Sequence, residues 1–541
     1  MAKNYKNDTV VYQIYPRSYK DTNGDGMGDL PGIISKLDYI ASLGVNAIWL
    51  SPIYESPDDD NGYDISNYKA IQPRFGTMDD FDTLVREAKA RGIEIIMDLV
   101  INHTSDEHEW FKRALAGEEK YRNYYIIKKS TDSKLPNNWG NFFAECPWAK
   151  LGGDDSNEYY LHLFSKKQPD LNWHNPDVMA EIKDIMKFWL DKGVGGFRCD
   201  VINIIYKNTL ENGKKSLVLT GSEHYLSTDG CHEILKELRS SCLEPYGAWA
   251  VGETVFVSVP KAKDLCDEER GELDMVFSFE HMECDQIAVK WFKKKLRPKK
   301  LMQTITKWQT GLNWNAVYFE NHDQPRFISR FKDSADHLTE ASKMMAGLIM
   351  TLRGTPFVYE GQEIGMTNGD FKDLSEVEDI ESHNVYKMAK SLGIPKKMRW
   401  RMIQKSSRDN ARTPMQWSDG KNAGFSDTKP WLKINENHTH INVERELTLK
   451  DGTLSFWKKM IALRKENKIL KDGEFIPVYE GKSVYAFERK LGEKRLISIF
   501  NMSGKTVRIP AQISFDGDVI ASNYDTAIDK LQPFEFRLIS L

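Results

Sequence analysis

The run IEIIMDLV at residues 93–100 has the character of a strand that is buried on both faces. It is mostly apolar and short, and a helical pattern of apolar residues precedes it at 78–91. Strands that are buried on both faces alternate with covering helices in parallel sheets. Residues 78–100 therefore predict one helix–strand step of a parallel α/β fold.

The same alternation continues in both directions along the chain. Further helical patterns cover 30–43 and 177–192. Strand-like runs occur at 9–16, 45–52, 93–100, 195–201, 249–253, 273–279, 316–323 and 356–363. Eight strands separated by helices over this length favour a closed (β/α)₈ barrel over an open sheet. The predicted fold class is α/β, a TIM barrel.

Two stretches lie outside this alternation. Residues 104–173 are too long for an ordinary connection and predict a subdomain inserted after strand 3. Short runs of period two near the C-terminus predict an antiparallel β domain. The predicted domains are the first part of the barrel at 1–103, inserted subdomain B at 104–173, the second part of the barrel at 174–468 and a C-terminal β-sandwich at 469–541.

Composition and charge exclude several classes of protein. The chain has 541 residues, of which 40% are hydrophobic and 28% charged, so disordered and collagen-like chains are excluded. Its 75 Lys and Arg against 79 Asp and Glu give no general electrostatic reason to bind nucleic acid or a membrane surface. The six cysteines form no CxxC pair, and the first residues show no secretory signal. We therefore expect a cytoplasmic protein with reduced thiols.

Polar residues end several of the predicted strands. They are Asp98, Asn102 and His103 after the third run, Arg198 and Asp200 after the fourth, Glu253 after the fifth, and Asn321, His322 and Asp323 after the seventh. One acidic residue at a strand end is usually a helix cap or an ion pair. Four strands that end this way share the rim on which TIM barrels carry their active sites. The pattern therefore predicts an active site rich in carboxylates.

Three carboxylates beside an arginine suit retaining glycoside hydrolysis. That reaction needs two carboxyl groups about 5–5.5 Å apart, one to attack the sugar carbon and one to protonate the leaving oxygen. An arginine two residues from the nucleophile would keep it ionised. A metal-dependent hydrolase is the competing interpretation, but the sequence has no HxH or HExxH spacing.

Four segments carry a family resemblance, and they occur in the order DLVINH (98–103), GFRCD (196–200), VGET (251–254) and NHD (321–323). In these segments the chain resembles the α-amylase superfamily of glycoside hydrolases. Further segments resemble the oligo-1,6-glucosidase and dextran glucosidase group of that superfamily: NGYDISNY (61–68), QPDLNW (168–173), GTPFVYEGQEIGMTN (354–368) and RDNARTPMQW (408–417). The resemblance covers essentially the whole chain.

The resemblance implies a role for each matching residue. Asp200 would be the nucleophile, Glu253 the general acid/base and Asp323 a third carboxylate that binds and distorts the sugar. The residues implied to surround the terminal glucose in subsite −1 are His103, His322, Arg198, Tyr63 as a stacking face, Gln168 as a wall, and Asp64, which would face Arg408 and close the pocket. Phe143 and Phe164 are further stacking candidates, or simply core of the inserted subdomain.

Two residues bear on substrate choice. Val201, directly after the predicted nucleophile, resembles the valine of relatives that cleave α-1,6 bonds and of trehalose-6-phosphate hydrolases. Lys290 with Trp291 resembles a pair in the dextran glucosidase group, where such a lysine contacts the +1 sugar. The basic run at 290–300 is typical of a solvated helix face, and its alternative interpretation is a grip on a phosphorylated substrate.

The segment DTNGDGMGD at 21–29 predicts a structural Ca²⁺ site. Its candidate ligands are Asp21, Asn23, Asp25, the backbone carbonyl of Met27, and Asp29. A glycine-rich Asx turn without metal is the alternative. The family resemblance also implies a structural cation here, and no organic cofactor is expected.

The sequence thus predicts a retaining, exo-acting α-glucosidase that hydrolyses terminal α-1,6-linked glucose from isomaltose and isomalto-oligosaccharides. The expected partners are small α-glucosides, without nucleic acid or membrane, and the expected state is a monomer or weak oligomer. The alternatives are a trehalose-6-phosphate hydrolase and an α-glucosidase of broader α-1,4 or sucrose specificity. A non-catalytic binding subunit is disfavoured because all three carboxylates are present.

Overall fold

The computed structural model describes residues 5–130, 134–143, 145–216, 219–287, 289–331, 333–525 and 529–541. Eight parallel strands form its central sheet: β1 Val11–Ile14, β2 Ala47–Leu50, β3 Glu94–Leu99, β4 Gly196–Cys199, β5 Trp249–Glu253, β6 Met275–Phe277, β7 Ala316–Val317 and β8 Thr355–Tyr359. The strand order is β6-β5-β4-β3-β2-β1-β8-β7, and the outer strands β6 and β7 contact each other. The predicted TIM barrel is confirmed.

Helices follow the strands as predicted. The longer ones are Leu30–Ser35, Leu37–Ser42, Met78–Ala90, Pro176–Asp191, Asp229–Leu238, Val259–Leu265, Pro298–Gly311, Leu338–Thr351, Ile380–Ser391, Lys396–Ser406 and Thr453–Glu466. Short helices span Tyr5–Asp8, Pro16–Tyr19, Glu109–Leu115, Glu119–Arg122, Glu244–Tyr246, Asp409–Arg412, Val443–Thr448 and Lys468–Asp472.

Local sequence explains where the helices after β2 and β3 begin. Thr77 and Asp80 form a reciprocal capping box at the start of Met78–Ala90. Asn175 caps Pro176–Asp191, whose first residue is a proline. The helix expected at 30–43 is instead two helices, because Lys36 leaves the α region at φ −109° and ψ 5°. The Lys36 ammonium lies 4.3 Å from the ring centroid of Trp417.

Among the described residues, two of the further sheets have at least three strands, and three more are two-stranded. Between β3 and β4 lies a three-stranded antiparallel sheet of Ile127–Lys129, Trp148–Lys150 and Glu158–Leu161. A five-stranded antiparallel sheet ends the chain, and its strands are β9 Glu474–Glu480, β10 Val484–Leu491, β11 Lys494–Asn501, β12 Asp518–Ser522 and β13 Phe536–Ser540. The predicted C-terminal β domain is confirmed, while the domain boundaries stay a prediction.

The strand order determines which residues become neighbours at the carboxyl ends of the strands. Because β3, β4 and β5 are neighbours, the residues at their carboxyl ends lie side by side. Asp98 of β3 pairs in register with Arg198 of β4, which pairs with Val251 of β5. Over the described ranges, no helix has the length and apolar character needed to cross a bilayer.

Candidate active site

Three buried carboxylates meet at one arginine on the carboxyl rim of the barrel. Arg198 Nη1 contacts Asp98 and donates to Asp200 Oδ1 at 2.7 Å, while Nη2 contacts Oε2 of Glu253. The guanidinium itself is almost completely buried. The structure therefore brings together the predicted nucleophile, acid/base and arginine.

The charges in this cluster do not balance, since three carboxylates share one guanidinium. Burial raises the pKa of Asp200, the charges of Glu253 and Asp98 raise it further, and Arg198 opposes them without reversing the direction. The arginine was expected to keep Asp200 ionised, but it offsets only part of the effect of burial and of the neighbouring charges, so the pKa of Asp200 lies above its ordinary range. Two carboxyl groups held beside one arginine are an arrangement that suits retaining hydrolysis.

Asp323 lies in a different electrostatic environment. His322 Nε2 is 3.0 Å from Oδ2, and Arg412 Nη2 donates to Oδ1 at 2.8 Å. Although burial acts to raise it, His322, Arg412 and Arg408 hold the pKa of Asp323 well below its usual range. Asp323 is therefore ionised at neutral pH. It keeps about a quarter of its side chain exposed, so it can accept hydrogen bonds from a ligand's hydroxyls.

His322 is fixed between two tyrosines. Its ring stacks on Tyr63 at 5.4 Å and on Tyr15 at 5.7 Å between centroids. Gln13 Nε2 lies 2.8 Å from His322 Nδ1, and Nε2 of the ring faces Tyr63 Oη and Asp323. Tyr63 was predicted to stack on a sugar, and the structure shows that one face of its ring already contacts His322.

The prediction that Asp64 faces Arg408 is wrong. The Asp64 carboxylate turns back and accepts the backbone N–H groups of Asp59 and Asp60 at 2.8 and 3.0 Å. Burial raises the pKa of Asp64 to about 7. The carboxylate that meets Arg408 is Asp60, whose Oδ1 accepts from Nη2 at 3.2 Å.

Arg408 closes one side of the site. Besides Asp60 it donates through Nε to Asp379 Oδ1 at 2.9 Å, and its Nη1 lies 3.6 Å from Asp323. Its guanidinium carbon also lies 5.9 Å from the ring centroid of Phe143. Phe143 therefore packs on the closing arginine, which places one predicted stacking candidate at the site.

His103 and Gln168 form a second wall. His103 Nε2 lies 3.1 Å from both the carbonyl oxygen of Tyr63 and Nε2 of Gln168, which also donates to Asp60 at 3.2 Å. Phe164 lies 5.2 Å from the His103 ring. Burial lowers the pKa of His103, so this wall presents a neutral imidazole.

Lys290 is connected to the same network through a carboxylate. It forms an ion pair with Glu381, whose carboxylate lies 4.0 Å from Nε of Arg408. The start of the basic run is not a helix face, because Val289–Lys293 is a strand that pairs with Gln286–Ile287. The Lys290 ammonium also lies 5.2 Å from the Trp291 ring centroid.

Val201 has an unusual backbone for a β-branched residue. It adopts φ 37° and ψ 38°, the left-handed region that such side chains rarely enter. Its side chain is buried in a cluster with Ile204 and Tyr225. Its backbone N–H donates to Oε2 of Glu253 at 3.2 Å. The residue after the predicted nucleophile thus touches the predicted acid/base.

The loop at 21–29 is built from Asx turns. Asp21 accepts the N–H groups of Gly24 and Gly26, Asn23 accepts that of Asp25, and Asp25 accepts that of Met27. Asp29 caps the helix Leu30–Ser35 through the N–H of Gly32. All the candidate ligand atoms are oxygens, the type of ligand that Ca²⁺ prefers, and Ca²⁺ binding stays a prediction. Within the described part of the chain, no three His, Cys, Asp or Glu side chains form a metal cluster.

Four site residues escaped the sequence analysis: Gln13, Asp60, Asp379 and Arg412. Gln13 is the polar residue inside the apolar run at 9–16, which is a usable signal for a side chain that points into a barrel site. Arg412 lies in the segment RDNARTPMQW, but its role depends on Asp323 far away in sequence. Nothing in the local sequence distinguishes Asp60 from its acidic neighbours.

The assembled geometry agrees with the comparison with known families. A family model for the alpha amylase catalytic domain matches residues 13–473. The chain belongs to the α-amylase family. It is therefore a glycoside hydrolase, and the predicted resemblance is confirmed.

Among its relatives, the oligo-1,6-glucosidase of Bacillus cereus is 45% identical and covers 99% of this chain and 98% of its own. The oligo-1,6-glucosidase of Halalkalibacterium halodurans is 43% identical and covers 99% of each chain. A crystal structure of the trehalose-6-phosphate hydrolase of Bacillus licheniformis superimposes with a TM-score of 0.93 at 39% identity, over 99% of each chain.

Proposed function

We propose that this enzyme is a retaining, exo-acting α-glucosidase that removes terminal α-1,6-linked glucose from isomaltose and isomalto-oligosaccharides. The observation that carries the proposal is the pairing of Asp200 and Glu253 on one buried arginine, beside a pocket wall closed by Arg408 and Asp60. The paired carboxyls support the chemistry, and the closed wall supports the exo action.

In the first step the Asp200 carboxylate attacks the anomeric carbon of the terminal glucose. The bond from that carbon to the glycosidic oxygen breaks, and this oxygen takes the proton of Glu253. Arg198 donates to both carboxyls, so it stabilises the charge that moves from Asp200 to Glu253. The products are a glucosyl ester on Asp200 and the free remainder of the substrate.

In the second step water resolves the ester. Glu253, now a carboxylate, takes a proton from water, and the water oxygen attacks the anomeric carbon while Asp200 leaves as a carboxylate. Two inversions give net retention. Asp323 remains ionised throughout and can hold ring hydroxyls.

The wall behind the site supports exo action. Arg408 is held at once by Asp60 and Asp379 and lies near Asp323, and side chains fixed in this way would obstruct a polysaccharide chain that continues past this side. A site with such a wall suits the end of a chain. The preference for α-1,6 bonds is supported by Val201 beside Asp200 and by the similarity to the two oligo-1,6-glucosidases.

A trehalose-6-phosphate hydrolase is the second candidate, because a solved relative has that name and a basic strand lies near the site. Its weakness is that Glu381 already neutralises Lys290. Lys293 is another cation of this strand, and burial lowers its pKa to about 7, so it carries only part of a charge at neutral pH. The strand therefore offers less charge to a phosphate than its sequence indicates.

A substrate panel tests the proposal: isomaltose, panose, maltose, trehalose 6-phosphate and sucrose at equal concentration. We expect release of glucose from isomaltose and panose, with kcat/KM at least about tenfold above maltose and trehalose 6-phosphate. Proton NMR of the fresh product should show the α anomer first. Preferred cleavage of trehalose 6-phosphate would overturn the neutral-substrate assignment, and a β anomer would overturn the mechanism.

A further inference from the structure

We propose that the backbone N–H of Val201 is a positioning group that makes Oε1 the proton-donating oxygen of Glu253. This inference rests on the proposed function, in which Glu253 is the acid/base. Within the described residues, the hydrogen bonds that Glu253 accepts all end on Oε2. The donors are Arg198 Nη2 and the Val201 N–H at 3.2 Å.

Two donors on one carboxyl oxygen decide where the proton sits. A carboxyl oxygen has two lone pairs in the plane of the group. On Oε2 both are engaged, so a proton there would displace one donor and leave a buried N–H unpaired. The acidic proton therefore resides on Oε1, and the glycosidic oxygen must approach that atom.

The Val201 N–H belongs to the peptide bond that joins Val201 to Asp200. The same peptide group therefore carries the nucleophile on one side and holds the acid/base on the other. The hydrogen bond from this planar group to Glu253 therefore links the acid/base to the backbone that carries the nucleophile.

The strained conformation of Val201 is held from both sides. The Asp200 N–H donates to the Leu99 carbonyl at 3.0 Å, and the Val201 carbonyl accepts from Ile204 at 3.1 Å. The buried side chain fills the cluster that contains Ile204 and Tyr225. Strain of this kind persists where the surroundings fix the backbone, and it clusters at functional sites. Here it aims one N–H at Glu253.

Val201→α-hydroxyisovalerate, introduced by nonsense suppression, is the direct test, because the resulting ester lacks the N–H and otherwise changes only the strength of the Asp200 carbonyl as an acceptor. The ionised form of the acid/base loses a donor, so the alkaline limb of the kcat/KM profile should move up by about one pH unit. We expect kcat to fall about tenfold while KM changes little, since the group acts on the transition state.

Val255 provides a matched control with the same ester. Its N–H donates to Asn203 Oδ1 at 3.0 Å, and its side chain packs on the same cluster as Val201. The control ester should leave the alkaline limb in place. If the alkaline limb of the kcat/KM profile lies at the same pH in the Val201 and Val255 esters, the inference is overturned. An unmodified enzyme that releases no glucose from any α-glucoside would instead overturn the proposed function.

A second measurement leaves Val201 intact. In Glu253→Gln, the side-chain amide always has one oxygen and one ND₂ group after deuteration, and neutron diffraction distinguishes them. We expect the amide oxygen to take the Oε2 position and accept from Arg198 and Val201, with the ND₂ group in the Oε1 position. An ND₂ group directed at Val201 would overturn the inference, whatever the activity of the enzyme.

Discussion

Arg198 compensates only part of the negative charge around it. Among the residues that the structure describes, it is the one guanidinium in contact with Asp98, Asp200 and Glu253, and all four groups are buried. A buried ion whose charge is not fully compensated lowers the stability of the folded state, so the catalytic carboxylates cost the protein stability. The raised pKa of Asp200 has the same cause, because it reflects the cost of ionising this carboxyl in the cluster.

Asp200→Asn should therefore separate activity from stability. The amide cannot form the glucosyl ester, so we expect kcat to fall by about 10⁴-fold or more. It also removes one negative charge from the crowded cluster, so we expect the melting temperature to stay equal or rise. Isomaltose hydrolysis and a thermal scan at pH 7 measure the two effects. Retention of more than about 1% of kcat would contradict the nucleophile assignment.

Asp60 and Asp59 offer a matched pair that tests the pocket wall. Asp60→Asn weakens the bond to Arg408 and the contact with Gln168, so kcat/KM on isomaltose should fall about 10- to 100-fold. Asp59 pairs with Lys167 at 2.8 Å on the surface, so Asp59→Asn should change kcat/KM less than about twofold. Equal effects of the two substitutions would show that the Arg408 contact does not shape the pocket.

The catalytic carboxyls and the acidic residues of the pocket wall differ in how well the sequence predicts them. Asp200 and Glu253 were predictable because each ends an apolar strand, which fixes its place in the barrel. Asp60 and Asp64 lie together in a turn that has no periodicity, and only the folded backbone shows which of them caps the turn and which meets Arg408.

At the level of elements, strand ends were harder to predict than strands. The run expected at 316–323 is a strand only at Ala316–Val317, after which the chain leaves the sheet and a bridge joins Asn321 to Gln324. The early departure places Asp323 beside His322 and Arg412. Its cause is tertiary, since the Tyr318 carbonyl accepts from His281 of another loop.

The stability of the protein should depend on Ca²⁺ through the loop at 21–29, which precedes the helix Leu30–Ser35. If Ca²⁺ binds at 21–29, EDTA should lower the melting temperature by a few degrees and added Ca²⁺ should restore it. Asp25→Ala should abolish the Ca²⁺ response. Asp29→Ala should lower stability by about 1 kcal/mol even in EDTA, because Asp29 caps a helix. If neither EDTA nor added Ca²⁺ changes the melting temperature, the result would favour the Asx turn without metal.

The loop after β6 should make stability depend on pH through Glu283. Burial, with a contribution from Glu280, raises the pKa of Glu283 to about 7. The folded state then binds this proton more tightly than the unfolded state, whose pKa is about 4.3. This contribution to stability is complete below about pH 4. It is lost as pH rises to about 7, the folded pKa.

Glu283→Gln should remove that dependence. Urea midpoints should show the variant more stable than the native enzyme at pH 8 and similar to it at pH 5. Glu233→Gln is the control, because this exposed carboxylate pairs with Lys236 within one helix and should change neither midpoint much. An equal difference between Glu283→Gln and the native enzyme at both pH values would contradict the assignment.

For the whole molecule, the barrel and the C-terminal sheet share one core. Phe536 of β13 packs against the helix Leu338–Thr351, which covers the barrel after β7. Period-two patterning was sufficient to predict the sheet. It could not predict the docking, because the contact depends on a missing side chain, Gly347, in the middle of the helix.

Gly347→Ala tests this docking. At a solvent-exposed position inside a helix, the change from Gly to Ala stabilises the folded protein by about 1 kcal/mol. Here an added Cβ would lie 2.4 Å from Cδ1 of the buried Phe536 ring, so we expect a loss of about 1–3 kcal/mol in urea unfolding instead. Phe536→Leu removes the ring edge, so Gly347→Ala in that background should cost less or become stabilising. A double-mutant cycle measures the difference. Additive effects would show that the Phe536 ring does not require a glycine at position 347. The barrel and the C-terminal sheet would then be joined by other contacts.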